Sequence, residues 1–350
     1  MTTTATHPAA TTTGRRVRPA RAVRGRRRFT QLGAPLWTAM GLVAGGIMAG
    51  LMADRYTAAM LSRILIIGLL TASVTVLVGW CGLASLGQTA PFAVGAYTTG
   101  LLAIHHTAAG PVLLLAAATA AAGFSAVTGV AVLRTRGTVF LMVTLAVGEL
   151  VVTAAARWRT LTGGTDGLLA IPATTWWPGT AALRDPRDSY WYVLAVTTMV
   201  IATAVMVLRG PSGLLLRGVR DNEPRLRAAG HPTGRYLLIA YVGAGTVAGI
   251  AGSLLVTVQR HVSPADVGFD LAALVLLAVV VGGPGSLVGA IAGAAAIVAT
   301  RDWLAGPWPG HAPLLIGVLL VGTVYLIRDD GLLGLIRRAA ARLPHRRGQR

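Results

Sequence analysis

GPSGLLLRGVRDNEPRLRAAGHPTGR is the sequence from Gly210 to Arg235, the one long polar stretch between apolar runs that has a helical pattern of its own. Five arginines and two acidic residues alternate in it with apolar residues. Gly230 and then Pro232 follow the periodic part, which is typical of a helix end. The pattern predicts a short amphipathic helix in a loop that is offered to a partner; the alternative is a basic loop that only satisfies membrane topology. Its predicted apolar side comprises Leu214, Leu215, Val219, Leu226 and Ala229.

The composition indicates an integral membrane protein. Of the 350 residues, 54% are hydrophobic and only 12% are charged, whereas a soluble domain has about 25% charged residues. The apolar residues form long uninterrupted runs. The net charge of +19 lies in tails and loops beside these runs. This distribution is typical of membrane topology and argues against a nucleic-acid partner.

The residue types exclude several kinds of chemistry. All 31 basic residues are arginine, so the chain has no lysine for a Walker A site, a Schiff base or a pyridoxal phosphate linkage. Cys81 is the only cysteine, which excludes an intramolecular disulfide. The histidines are scattered without an HExxH pair, and no metal site is predicted.

The apolar runs predict about ten transmembrane helices, each of about 17 to 20 residues or more. The third contains Pro91, and the eighth and ninth are short and separated by Gly282-Gly283-Pro284-Gly285. Such interrupted spans are either broken helices that line a pathway or a tight hairpin between ordinary helices. The predicted spans are 36–53, 62–80, 89–105, 111–133, 138–156, 190–208, 235–258, 269–283, 286–300 and 313–327.

The arginines predict the orientation of these spans. With the N-terminus inside, 23 of the 31 arginines fall in inner segments and the other 8 in outer ones, which is the bias expected of a bacterial membrane protein. The expected fold is therefore an all-α polytopic membrane protein with both termini in the cytoplasm. Its domains are a basic disordered tail (1–35), a transmembrane domain (36–333) and a second basic tail (334–350).

Four stretches together go beyond composition. In this order and spacing they resemble the permease subunits of branched-chain amino acid ABC importers, of the LivM-like kind, over roughly residues 60 to 330. The Arg-rich N-terminal tail and Pro284 depart from that pattern. The stretches are GWCGLASLGQTAPFAVGAYTTGLLA (79–103), GTVFLMVTLAVGEL with TLTGGTDGL (137–150 and 160–168), the stretch 210–235, and VSPADVGFDLAALVLLAVVVGGPGSLVGAIAGA (262–294).

The resemblance implies a bacterial plasma-membrane subunit that is not an enzyme and holds no cofactor. It would pair with a second, LivH-like permease subunit, and two cytoplasmic ABC ATPases holding ATP and Mg would drive the pair. An extracytoplasmic solute-binding protein would deliver a branched-chain or similar amino acid. The loop around Glu223 to Gly230 then resembles the coupling segment of ABC importers, whose short helix sits in a groove of the ATPase. Its candidate residues are Arg217, Arg220, Glu223, Leu226, Ala228, Ala229 and Gly230.

Polar and glycine residues within the spans are candidates for the translocation pathway. Glu149, near the middle of the fifth span, either lines the pathway or forms a structural clamp to a polar residue of a neighbouring span. At the start of the third span, hydroxyl and amide side chains either line the pathway or cap the helix. The pathway candidates are Ser85, Gln88, Thr89, Glu149, Gly283 and Gly285.

The outer segment 157–189 contains the turn sequence Thr162-Gly163-Gly164-Thr165-Asp166-Gly167. It is either a plain structured loop or a contact for the binding protein. The candidate contact residues are Gly163, Gly164, Thr165 and Asp166.

Other functions remain open at this point. Related permeases share the motifs, so urea, short amides or another small solute are alternative substrates. A channel or ion-coupled transporter needs no ATPase, but a single intramembrane carboxylate is a poor basis for a proton relay. A membrane-embedded enzyme lacks support, because the spans contain no catalytic constellation.

Overall fold

Helices make up the regular structure of the described part of the chain. The computed structural model describes residues 44–304 except 178 and 284, together with 314, 317, 318, 321 and 322. These residues form no β-strand, only three isolated bridges. The predicted tails 1–35 and 334–350, the first residues of the first span and most of the tenth span lie outside this part. The helices are α1 (44–52), α2 (Arg55–Val76), α3 (Thr89–His105), α4 (Gly110–Val132), α5 (Gly137–Arg157), α6 (Arg159–Thr162), α7 (Pro186–Arg209), α8 (Pro211–Ala228), α9 (Thr233–Gln259), α10 (Phe269–Gly282) and α11 (Leu287–Ala299).

The helices coincide with the predicted apolar spans. The second to ninth predicted spans correspond to α2 to α5, α7 and α9 to α11, with ends that differ by a few residues. Among the described residues, six helical segments are long and apolar enough to cross a membrane, as in a multi-pass helical membrane protein. At 17 and 13 residues, α3 and α11 are too short to be counted among them. The six are Arg55–Cys81, Gly110–Val132, Gly137–Arg157, Pro186–Arg209, Thr233–Gln259 and Pro264–Gly282.

Glycines allow the central helices to touch backbone to backbone. A Cβ atom on Gly95 of α3 would overlap the carbonyl oxygen of Gly249 in α9, and one on Gly252 of α9 would overlap the carbonyl oxygen of Phe92. Lipid offers no hydrophobic force between helices, so close van der Waals packing of this kind holds a membrane bundle together. Accordingly α2 and α9 are mostly buried, whereas α4, α5 and α7 leave most of their surface uncovered.

The two short spans α10 and α11 form a tight hairpin, which was one of the two predicted arrangements. Gly283 ends α10 with φ of 88°, in the left-handed region that favours glycine. The Ser286 side chain accepts a hydrogen bond from the Gly289 N–H at 3.3 Å and so caps α11. Gly293 lies against the Ala278 carbonyl. Gly283 and Gly285 therefore belong to the turn between two packed helices.

The loops gather at two ends of the bundle. At one end, the Gly110 N–H donates to the Thr175 carbonyl, and Leu168 and Val262 exchange backbone hydrogen bonds. At the other end, the Arg136 guanidinium contacts Glu223 of α8. The segments that the positive-inside rule placed on one side are thus neighbours in the structure. The absolute orientation remains a prediction.

Candidate functional site

The chain between α2 and α3 turns back into the bundle. A π-helical turn, Leu77–Cys81, prolongs α2, and Gly82 follows it with φ of 72°. Residues 83–88 are not helical, and α3 begins only at Thr89. We call residues 82–88 the re-entrant turn.

A hydrogen bond fixes the depth of the re-entrant turn. The Leu86 N–H donates to the Thr144 hydroxyl oxygen at 3.3 Å. Thr144 lies seven residues after Gly137, the first residue of α5, and at 1.5 Å per residue this is about 10 Å along that helix. The helix α3 therefore begins about 10 Å inside the bundle, measured from the end of the bundle at which α5 begins.

Irregular backbone at membrane depth requires internal hydrogen bonds and cover by protein. Besides the Leu86–Thr144 bond, the Gly87 N–H donates to the Ser85 hydroxyl oxygen at 3.2 Å. Gly87 also lies against the backbone of Thr144, where a Cβ atom would be 2.9 Å from the threonine Cβ. Within the Ser85-Leu86-Gly87 sequence, the serine thus supplies a hydrogen-bond acceptor for the turn, and the glycine allows its close approach to α5. Ser85 caps the turn rather than the helix, and Gln88, at the N-cap position of α3, forms no side-chain cap.

The structure brings the three pathway candidates Ser85, Gln88 and Thr89 together. All three are buried, and Gln88 is only 1% exposed. Neither amide atom of Gln88 has a hydrogen-bond partner among the described residues. These residues form the polar end of a narrow cleft, which we call the α3 cleft, and in this conformation it has no room for a water molecule. Its other lining residues are Leu70 and Val74 of α2, Leu86, and Ala272 and Val275 of α10.

Glu149 lies on the outward face of α5. Its side chain is exposed, and no described residue forms a hydrogen bond or an ion pair with it, so the predicted clamp has no partner there. The neighbouring Gly148 faces inward, where a Cβ atom would be 3.3 Å from the Thr89 hydroxyl oxygen. Glu149 is therefore at the level of Thr89, but on the opposite side of α5.

At the end of the bundle that contains Arg136, the stretch 210–235 is mostly helical, but it does not form a single helix. Asn222 has φ of −161° and ψ of 86°, which divides α8 into residues 211–221 and 223–228. The Asn222 side-chain oxygen accepts from the Arg225 N–H at 3.0 Å and so caps the second part. Pro224 is tolerated there because the N–H that it lacks would have no helical partner. The prediction of one continuous helix was wrong, although the Asn-Glu-Pro sequence contains the signal for a new helix start.

The second part of α8 ends as predicted. Gly230 has φ of 84°, its N–H donates to the Arg227 carbonyl, and the His231 N–H donates to the Leu226 carbonyl. These two hydrogen bonds form a Schellman motif. Ala228, Ala229 and Gly230 are exposed at this capped end. The apolar side agrees with the prediction only in part. Val219 is buried as predicted, but Leu216 is buried as well, whereas Leu214 is 67% exposed and Ala229 is exposed.

Three contacts attach α8 to the transmembrane helices. The Arg220 guanidinium donates to the Gly79 carbonyl in the π-helical turn, and the Arg217 guanidinium carbon lies 5.6 Å from the centroid of the Trp80 ring. The Glu223 carboxylate accepts hydrogen bonds from Arg136, Arg227 and Thr233. A cavity of about 360 Å³ opens between α8, Gly82 and Arg136.

The basic groups around Glu223 change its acidity. The hydrogen bond from Arg136 is the main reason why the pKa of the Glu223 carboxyl lies below its ordinary value, with the charges of Arg136 and Arg227 acting in the same direction. Partial burial opposes this shift. The carboxylate is thus engaged in hydrogen bonds and ion pairs within the chain, and the Glu223 side chain is 22% exposed.

The four candidates for binding-protein contact form a compact turn between α5 and α7. Gly163 and Gly164 have positive φ, and Gly164–Asp166 forms one turn of 3₁₀ helix. Thr165 and Asp166 are exposed, whereas Gly164 is buried. The turn is held against the opposite loop by the backbone pairing of Leu168 with Val262. No cluster of potential metal ligands occurs in the described part of the chain.

The fold and these sites define a class: a multi-pass helical membrane protein with a polar turn inside its bundle and a capped helical loop at one end, as in a transport subunit. A family model described as the permease component of branched-chain amino acid transport systems matches residues 56–324. The chain belongs to this family, and it is a LivM-like permease subunit of an ABC importer, as the sequence resemblance predicted.

Two curated relatives are both the high-affinity branched-chain amino acid transport system permease protein LivM. The Escherichia coli K12 protein is 32% identical over 313 residues, which cover 82% of this chain and 72% of the relative. The Salmonella typhimurium LT2 protein is 31% identical over 323 residues, covering 85% and 75%. No solved structure matches the chain.

Proposed function

We propose that this chain is the membrane-spanning subunit of an ATP-driven importer for branched-chain or similar amino acids in the bacterial plasma membrane. It would have ten spans and both termini in the cytoplasm. The family membership and the printed function of the curated relatives support the substrate class. The distribution of the arginines supports the orientation.

The attachment of α8 is the observation that carries this proposal. A loop that only satisfied the charge rule would not need helix caps at Asn222 and Gly230, nor contacts with two transmembrane helices. Here Arg220 reaches the end of α2, and Glu223 reaches the start of α5. Such a rigid, attached element is suited to transmit a push from a cytoplasmic ATPase to the bundle. The exposed surface around Ala228 and Ala229 is then the docking face.

The outward face of α5 supports pairing with a second, LivH-like permease subunit. Met142, Ala146, Glu149 and Thr153 recur at helical spacing and are all exposed. A carboxylate near the middle of a span is costly in lipid and usually faces protein or water. A second membrane subunit that presents a hydrogen-bond donor would cover Glu149. The alternative role, lining a passage between the two subunits, requires the same partner.

In the proposed division of labour, ATP and Mg²⁺ are bound by two partner ATPases, since this chain has no lysine for a Walker A site. A solute-binding protein would dock at the opposite end, where Thr165 and Asp166 are exposed. The chain itself then supplies the passage and the coupling contacts.

The proposal is tested by uptake assays with the complete transport operon in a strain without its own importers. We expect ATP-dependent uptake of leucine that isoleucine and valine inhibit. Ala229→Trp adds bulk on the exposed docking face, so it should abolish uptake and detach the ATPases while the permease still inserts. His106→Trp, an exposed position at the opposite end, is the matched control and should retain uptake. Uptake of urea without competition by these amino acids would contradict the substrate class.

A further inference from the structure

We propose that the α3 cleft is a substrate-binding site of the permease itself. It would hold the charged end of a small zwitterionic amino acid at the first turn of α3 and the apolar side chain against α2 and α10. This inference rests on the proposed function and assigns a place within the subunit to the substrate.

The unpartnered amide of Gln88 is the first observation. Both its oxygen and its nitrogen are buried without a hydrogen bond to any described residue. A buried polar group without a partner costs free energy, and such exceptions in a native structure call for an explanation. The closed cleft has no room for a water molecule. Among the described residues the amide has no partner, and a polar group that enters when the cleft widens would supply one.

The polar end of the cleft fits a zwitterion. The Gln88 amide offers a donor and an acceptor, so it suits a carboxylate and an ammonium group together. The N-terminus of α3, a helix of 17 residues, has a partial positive charge that favours the carboxylate. Ser85 and Thr89 add hydroxyl groups. None of the described residues that line the cleft has an ionised side chain, so a ligand without net charge fits better than an anion or a cation.

The opposite wall fits an apolar side chain. Leu70, Val74, Ala272 and Val275 are apolar, and they belong to two different helices, α2 and α10. A polar ligand side chain would lose its hydrogen bonds with water against this wall, which would select against it. The cleft therefore combines the two chemical features of a branched-chain amino acid. Its closed state corresponds to a conformation in which α2 and α10 exclude the substrate.

The first experiment uses the complete importer in proteoliposomes. Gln88→Leu removes both polar atoms of the side-chain amide at nearly constant size, and we expect at least a tenfold loss in leucine uptake at low substrate concentration. Thr197→Val is the matched control. The Thr197 hydroxyl in α7 is also buried without a hydrogen-bond partner among the described residues, but it lies outside the cleft. It should keep near-normal uptake. Near-normal uptake by Gln88→Leu would overturn the proposal. So would a loss of uptake that is equally large in Gln88→Leu and Thr197→Val.

The second experiment measures selectivity, which a purely structural role would not change. Val275→Ala shortens the apolar wall, so uptake of larger amino acids should improve relative to valine, by about threefold or more. An unchanged ratio between leucine and valine would overturn the assignment of the wall. Failure of the proposed function is distinguishable, since the unaltered importer would then show no ATP-dependent uptake of leucine or valine.

Discussion

The Glu223 carboxylate accepts two hydrogen bonds from the Arg136 guanidinium, from Nε at 3.2 Å and from Nη2 at 3.1 Å. Arg136 immediately precedes α5, the helix that bears Thr144 and Glu149. The same carboxylate binds Thr233, the first residue of α9. One acidic side chain thus connects α8 with the starts of two membrane helices, and one of these supports the re-entrant turn.

This relationship predicts that Arg136 is required for coupling. Arg136→Gln should lower the amount of substrate moved per ATP hydrolysed by about threefold to tenfold, since charged hydrogen bonds contribute about 1.5–3 kcal/mol before allowance for their partial exposure. Parallel uptake and ATPase assays in proteoliposomes measure this ratio. Arg134→Gln, at a neighbouring exposed arginine, is the control. An unchanged ratio in Arg136→Gln would exclude this route.

A charge exchange gives a stricter test of the same contact. Arg136→Glu and Glu223→Arg should each uncouple the importer, because each places like charges together. The double variant should restore part of the coupling, since opposite charges face each other again. Full restoration is not expected, because Arg227 also contacts the carboxylate. Losses that simply add in the double variant would show that the two side chains act independently.

The pH dependence of stability follows from the lowered pKa of Glu223. When the folded-state pKa lies below the unfolded value, the stabilisation is complete above the unfolded pKa, about 4.3. It is lost as the pH falls through the folded pKa. The difference in Tm between the unaltered protein and Glu223→Gln should therefore be constant from about pH 8 to 5 and shrink below about pH 4. A difference that already shrinks between pH 7 and 5 would contradict the shift.

Cysteine labelling tests the orientation of the bundle. In a Cys81→Ser background, Asp166→Cys should react with an impermeant thiol reagent on intact cells, because Asp166 is exposed on the outer turn. Ser212→Cys, also exposed but at the start of α8, should react only after permeabilisation. Labelling of the second variant from outside would reverse the orientation.

Substitutions at Glu149 test how the outward face of α5 is covered. Glu149→Gln keeps hydrogen-bonding capacity and should retain the second permease subunit on copurification. Glu149→Leu removes this capacity and should weaken the association by about tenfold, if the partner's polar group is left unpaired at a cost of about 1–3 kcal/mol. Met142→Leu, on the same exposed face, is the control. Equal recovery of the partner with all three variants would place the interface elsewhere.

The sequence by itself determined the helical class and, within a few residues, most limits of the spans that the structure describes. Uninterrupted apolar runs must form helices in lipid, because every backbone polar group has to be satisfied within the segment. Gly230 marked the end of α8 equally well, since only a residue that tolerates positive φ completes the Schellman motif there. Four stretches in a fixed order likewise indicated the family from the sequence alone, and this resemblance was confirmed.

Only the tertiary structure decided which faces of the helices meet. A membrane helix that is apolar on all sides has no amphipathic pattern to reveal its packing face, so the exposure of Glu149 and the contact of Gly148 with Thr89 were not predictable. The depth of the re-entrant turn depends on the Leu86–Thr144 hydrogen bond, which joins positions 58 residues apart. The hydrogen bonds between Glu223 and Arg136 likewise join positions that are 87 residues apart in the chain. Such contacts arise because distant helices pack side by side, and periodicity along the chain records only the local pattern.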